Sequence, residues 1–148
     1  MAFERTYQVR WSDVDANGHM RNTAYSEYAT DVRIAFFGEA GFGWRRFEEL
    51  GLAPVLLREE IDYRREAGLG DRVRVTVQAV GLSPDGARWK LRSLLAGDGG
   101  EALALVSVLG GFIHLADRRL VVPPPELAAA LARLERAADF EELRPLRR

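Results

Sequence analysis

A carboxylate, an imidazole and two carboxamides, from Asp15, His19, Asn17 and Asn22, lie within one short polar stretch, Asp13-Val14-Asp15-Ala16-Asn17-Gly18-His19-Met20-Arg21-Asn22. A carboxylate can act as base or nucleophile, and an imidazole can relay protons near neutral pH. Asn17 and Asn22 are the only asparagines among 148 residues, and His19 is one of two histidines. Elsewhere the chain avoids fragile side chains: it has no Cys, two Met, and one Lys (Lys90) among 21 basic residues. Such a bias suits a heat-tolerant protein. A chain that excludes Asn elsewhere yet keeps an Asn-Gly pair beside two carboxylates has a reason to keep those side chains. The competing reading is a polar turn, because Asn, Asp and Gly tolerate positive φ.

Composition bounds the rest. With 148 residues, 47% of them hydrophobic, the chain fits a single domain over 1–148, with 139–148 as a frayed tail. A net charge of -1 and a pI near 6.2 point to neither nucleic acid nor an anionic membrane as partner. The N-terminus lacks a signal-peptide core and no apolar run is long enough to span a bilayer, so the expected location is cytoplasmic. Without Cys there is no thiolate nucleophile and no Cys-based metal site, and two separated histidines make a poor closed site, so no metal or cofactor is expected.

Residues 5–11 alternate as a half-buried strand that delivers the polar loop. Tyr25, Tyr28, Ala29, Val32 and Phe36 then recur at helical spacing, which predicts a helix over 23–37, capped by Asn22 or Thr23 and closed by Gly38 or Gly41. Trp44 to Leu50 is a turn or two of helix. From Pro54 the chain is extended, with Val55, Leu57, Ile61 and Tyr63 on one face and Glu59 interrupting it near an edge or a site. Residues 67–71 read as a hairpin connection, followed by strands over 72–79, 87–96 and 102–115. Gly110-Gly111 marks a bulge or a close backbone approach. Pro123-Pro124-Pro125 opens a last helix with Leu127, Leu131 and Leu134 on one stripe. Short turns between consecutive strands demand antiparallel pairing, so the expected fold class is α+β, about five antiparallel strands wrapped around one long helix plus a C-terminal surface helix.

The stretch from Asp13 to Tyr25 resembles the signature of hot-dog-fold thioesterases of the 4-hydroxybenzoyl-CoA thioesterase type, and also that of plant acyl-ACP thioesterases. Ile61-Asp62-Tyr63-Arg64-Arg65-Glu66-Ala67 with Gly70-Asp71, and Val122-Pro123-Pro124-Pro125-Glu126-Leu127, resemble later segments of both groups. The resemblance implies hydrolysis of an acyl thioester carried by CoA or by acyl carrier protein. It also implies a site at a homodimer interface, and often a homotetramer.

In the first type the residue matching Asp15 is base or nucleophile, and the backbone N–H at the position of Asn22 polarises the carbonyl. The plant pattern of Asp, Asn and His falls on Asp15, Asn17 and His19, with a Glu falling on Glu66. Where the plant enzymes follow that Glu with a Cys, this chain has Ala67, so a thiol mechanism is excluded. His19, Met20 and Arg21 stand where the first type has apolar or aromatic residues, which weakens the case for an aromatic acyl group. Gly18, Tyr25, Arg64 and Arg65 complete the expected substrate-binding set, although Tyr25 and Tyr28 also read as core. Arg58, Arg88, Lys90 and Arg92 are further candidates for phosphates, or else a solvated sheet face. Asp13 reads as a loop-holding carboxylate, Asn22 as a cap, Glu66 as a solvated turn residue and His114 as a satisfied strand histidine. Two other roles remain open to such a fold. The spacing of Asp15 and His19 departs from the hydratase pattern, and a non-catalytic acyl-thioester binder would lack the carboxylate.

Overall fold

The computed structural model describes residues 2–146. Strand β1 (Phe3–Gln8) leads through a 3-10 turn (Trp11–Asp13) and the polar loop into helix α1 (Asn22–Glu39). Helix α2 (Trp44–Leu50) and strands β2 (Leu52–Tyr63), β3 (Arg72–Leu82), β4 (Arg88–Ala96) and β5 (Ala102–His114) follow, then helix α3 (Pro125–Ala132) and strand β6 (Arg136–Glu142). The sheet runs β1-β3-β4-β5-β2 with every pair antiparallel, and β6 adds to β3 in parallel. This is the expected α+β hot-dog arrangement of one long helix held by a sheet.

The periodicities explain the core. On α1, Tyr25, Tyr28, Ala29, Val32, Phe36 and Phe37 are buried, meeting Val73, Val75 and Val77 of β3 and Leu91 and Leu95 of β4 in one apolar cluster. Gly110 is a close approach: a Cβ there would lie 2.2 Å from the ring of Trp89. Leu127 and Leu131 of α3 are fully buried in the same cluster.

Several expectations are corrected. The sheet has six strands, because β6 forms over Arg136–Glu142, its last four residues taken from the stretch assigned to the tail. Its sequence is too charged to show an alternation. It pairs with residues 79–82 of β3, where β1 has already ended at Val77 and left backbone groups open. Beyond it, Leu143 donates its N–H to the Leu82 carbonyl at 2.9 Å and Leu146 to Asp85 at 3.1 Å, so residues 143–146 are tied down. Arg147 and Arg148, also assigned to the tail, lie outside the described residues. Strand β1 ends at Gln8 rather than Trp11, whose ring is 82% exposed on the 3-10 turn.

The cap of α1 is Arg21, in extended conformation and without a side-chain cap bond, so Asn22 is the first helical residue. The Arg21 N–H is already bonded to the Asp13 carbonyl at 2.7 Å, which fixes the entry angle one residue early. In β2 the register shifts between Leu56 and Arg58, a bulge that turns Val55 to the opposite face from Ile61 and Tyr63.

The largest correction concerns residues 64–71. The hairpin expected over 67–71 does not form, because β2 pairs with β5 at the far edge while β3 sits beside β1. The connection crosses three strand spacings, roughly 14 Å, well within the reach of eight residues. That crossing brings the segment against the polar loop.

Candidate active site

The loop is held from below by Asp13. Its side chain is fully buried and accepts the Arg10 N–H at 3.0 Å, the Arg10 guanidinium at 3.3 Å and the Tyr28 hydroxyl at 2.7 Å. Burial works to raise this carboxyl, but the Arg10 and Tyr28 hydrogen bonds outweigh it and hold Asp13 below the usual carboxylate range. Burial, together with the bond to Asp13, pushes the Tyr28 phenol well above its ordinary value. Asp13 is therefore a structural anchor, as its position suggested.

Above that anchor the chain makes a tight turn. Asp15 donates its N–H to the His19 carbonyl at 2.8 Å, and Gly18, with φ of 78°, donates to the Asp15 carbonyl at 3.0 Å. The Asp15 side chain accepts the N–H of Asn17 at 2.9 Å and of His19 at 3.3 Å, both through Oδ1. Among the described residues, Oδ2 has no protein partner. The turn is stitched to the crossover where Met20 donates its N–H to Ala67 at 2.7 Å and His19 bridges to Gly68.

These contacts frame a cleft of about 600 Å³ lined by Asp15, Met20, Asn22, Tyr25, Tyr63, Arg64, Arg65 and Glu66. Six of the nine expected site residues share it: Asp15, Asn22, Tyr25, Arg64, Arg65 and Glu66. His19 is attached at its border, its Nδ1 2.8 Å from Glu66 Oε2, with both side chains partly exposed. Glu66 is thus not merely a solvated turn residue. Asn17 and Gly18 sit at the tip of the turn, exposed and outside the cleft wall.

Asn22 contributes the start of α1, where the first N–H groups have no intrahelical acceptor and the helix dipole is positive. Among the described residues nothing accepts from the Asn22 or Thr23 N–H, whereas Ala24 is bonded to the Arg21 carbonyl at 2.9 Å. Tyr25 is both core and cleft wall: it is buried and donates its hydroxyl to the Arg65 carbonyl at 3.2 Å, and desolvation raises its phenol. Tyr63 is a cleft residue that spacing did not single out. Its hydroxyl donates to the Asn22 carbonyl at 3.1 Å and its ring meets Tyr25 edge-on at 5.2 Å. Its signals in the sequence were its place on the apolar face of the extended segment and within the Ile61–Ala67 stretch.

The guanidinium groups of Arg64 and Arg65 have no carboxylate partner among the described residues. Arg58 is paired with Glu60 at 2.8 Å and Arg92 with Asp139 at 2.8 Å, and the strand register puts Arg58, Arg88, Lys90 and Arg92 on the sheet face away from α1. His114 lies beside Asp117, 3.5 Å away. Among the described residues no group of three or more His, Cys, Asp or Glu is placed to hold a metal, and no helix is long and apolar enough to cross a membrane.

A family model of the thioesterase-like superfamily matches residues 9–131. The hypothetical protein SAV2348 of Staphylococcus aureus, solved in complex with CoA, is 26% identical. It superposes with a TM-score of 0.83 over 89% of this chain and 82% of its own. Slr0204 of Synechocystis, a 1,4-dihydroxy-2-naphthoyl-CoA thioesterase, is 18% identical with a TM-score of 0.81 over 90% of this chain and 98% of its own. The probable thioesterase YbaW of Escherichia coli is 23% identical with a TM-score of 0.74 over 87% and 96% respectively. No curated protein matches the chain.

Proposed function

Since this chain belongs to the thioesterase-like superfamily, we propose that it hydrolyses acyl-CoA thioesters in the cleft between the polar loop and the start of α1. One observation carries the reading: Asp15 and the N-terminus of α1 line the same cavity. A thioester carbonyl seated there accepts from the Asn22 N–H, where the helix start stabilises the negative charge that develops on oxygen. Asp15 Oδ2 supplies the attack. It either removes a proton from water that adds to the carbonyl carbon, or adds itself to give a mixed anhydride that water then opens. In both routes one water is consumed, the C–S bond breaks, and the products are a free acid and CoA thiol. The two N–H bonds into Oδ1 keep the carboxylate aimed.

The carrier is read as CoA because of the Arg pair and the CoA complex of the Staphylococcus aureus relative. Arg64 and Arg65, without a carboxylate partner among the described residues, stand at the mouth, suited to phosphates through forked hydrogen bonds. An acyl carrier protein would present the same arm. Gly18 and Asn17 shape the turn that orients Asp15.

The homodimer forms through β2. This strand is 12 residues long, lies on an open edge and exposes Leu56, Leu57 and Tyr63, a combination that calls for pairing. A two-fold axis normal to the sheet then continues it across both copies with both α1 helices on one side. Pairs of such dimers make the homotetramer.

A second reading is favoured by the His19–Glu66 pair. Glu66 holds Nδ1–H of His19, which leaves Nε2 free to accept a proton from water. Release of free thiol from acetyl- through long-chain and aromatic acyl-CoAs tests both. With Asp15 as the acting group, Asp15→Asn at matched folding lowers kcat/KM about a hundredfold or more, while Glu66→Gln has a small effect. The reverse ranking moves the chemistry to His19. Absence of turnover with every acyl-CoA removes the CoA reading and leaves acyl carrier protein or a binding role.

A further inference from the structure

We propose that Tyr63 is a positioning residue for the reaction: with Tyr25 it clasps the start of α1 to the end of β2 and so holds the Asn22 N–H where charge develops on the thioester oxygen. This rests on the thioester reading above. Helix α1 opens without a side-chain cap bond, its cap residue being Arg21. An uncapped first turn frays, because its N–H groups have no partner to hold them. Asn22 is nonetheless pinned on both sides. Before it, Arg21 donates its N–H to the Asp13 carbonyl at 2.7 Å, and the Arg21 carbonyl accepts from Ala24 at 2.9 Å. After it, the Asn22 carbonyl accepts the Tyr63 hydroxyl at 3.1 Å, a bond across 41 positions of sequence.

Tyr25 supplies the return bond. It leaves the helix and donates its hydroxyl to the Arg65 carbonyl at 3.2 Å, while Tyr63 leaves the strand and reaches the helix. The two rings meet edge-on at 5.2 Å, so each phenol braces the other. Arg64 and Arg65 are held from behind, where their N–H groups bond the Leu103 carbonyl of β5 at 2.8 and 3.0 Å. The clasp therefore ties helix start, strand end and cationic mouth into one frame around the cleft that they line. Burial raises the Tyr25 phenol, which keeps the proton on this donor across the neutral range. The Tyr63 proton is committed to a backbone carbonyl, so this residue acts through Asn22 and not on the substrate.

Tyr63→Phe deletes the hydroxyl and keeps the ring against Tyr25. The side chain is 52% exposed, so the change opens no cavity in the core and its effect on the reaction is read apart from folding. The expected result is a kcat about five- to tenfold lower at unchanged KM, the worth of one neutral hydrogen bond that holds a donor in line. A rise in KM at constant kcat makes Tyr63 a substrate contact and overturns the proposal. A cycle with Asn22→Pro separates positioning from general loosening, because proline removes the Asn22 N–H and keeps the carbonyl that Tyr63 holds. In that background Tyr63→Phe lowers kcat no further. The same factor with and without the donor overturns the assignment.

Amide hydrogen exchange reads the clasp without turnover. The Ala24 amide, whose bond to Arg21 closes the first turn across Asn22, exchanges about fivefold faster in Tyr63→Phe and in Tyr25→Phe, while the amide of Val32 in mid-helix keeps its wild-type rate. An unchanged Ala24 rate in both variants overturns the clasp. Faster exchange at Ala24 in a protein that hydrolyses no acyl-CoA supports the clasp and refutes only the hydrolysis.

Discussion

The two ends of α1 face opposite kinds of chemistry. At its N-terminus backbone N–H groups, a carboxylate, an imidazole–carboxylate pair and two arginines surround an open cleft of about 600 Å³. At its C-terminal half three phenylalanines and a leucine enclose a smaller apolar cavity. A helix can carry both because its ends differ electrically while its middle is set by packing: only the start offers unpaired donors and positive potential. Between them Ser26 bonds Glu59 and buried Arg33 bonds Thr30, a polar seam that keeps the two regions apart.

The sharpest way to break this contrast is to delete the donor without touching a side chain that could act otherwise. Asn22→Pro removes the N–H at the first helical position, where proline is tolerated, and Arg21 already has the extended conformation that a following proline requires. The expected loss in kcat is about a hundred- to a thousandfold, with circular dichroism unchanged and Asn22→Ala near wild type. Full activity in the proline variant would place the oxyanion elsewhere.

A second variant asks how far the polar end depends on what lies beneath it. Asp13→Asn weakens the bonds from Arg10 and Tyr28 and should cost about 2 kcal/mol, read as a lower midpoint in urea. The same group gives a pH signature. Its folded pKa is depressed, so its stabilisation is present above the unfolded value near 4 and is lost as pH falls through the folded value. Acid unfolding of wild type should therefore begin below about pH 4, with a flatter profile in Asp13→Asn. Coincident profiles would remove Asp13 as the anchor.

The smallest effect is expected at the mouth. Arg64→Ala and Arg65→Ala should each raise KM for an acyl-CoA several-fold at low salt with kcat nearly constant, and less so at high ionic strength, because exposed charges are screened. A fall in kcat instead would mean that these residues act on the reacting group.

Much of this was legible locally. The polar loop, α1, α2 and the buried strands follow from spacing, because each is decided by contacts a few residues apart and by the alternation of one buried face. Asp13 reads as a structural carboxylate for the same reason: its partner Arg10 is three residues away. Glu66, by contrast, looks like a turn residue in sequence. Its partner His19 is 47 positions earlier, and only the crossover of 64–71 brings them together. Tyr63 joins the cleft for the same cause, and the bulge at Leu57 that decides which face it shows arises from pairing with β5.

The sequence by itself determined the elements and the chemical inventory: one polar loop before one long helix, no thiol, and apolar stripes sufficient for a core. Tertiary structure alone decided which edge β2 occupies, where β6 docks, and that the polar cleft and the apolar cavity lie at opposite ends of α1. Those outcomes depend on backbone pairing between distant segments, whose hydrogen bonds are the same for every residue type and so leave little trace in the order of side chains.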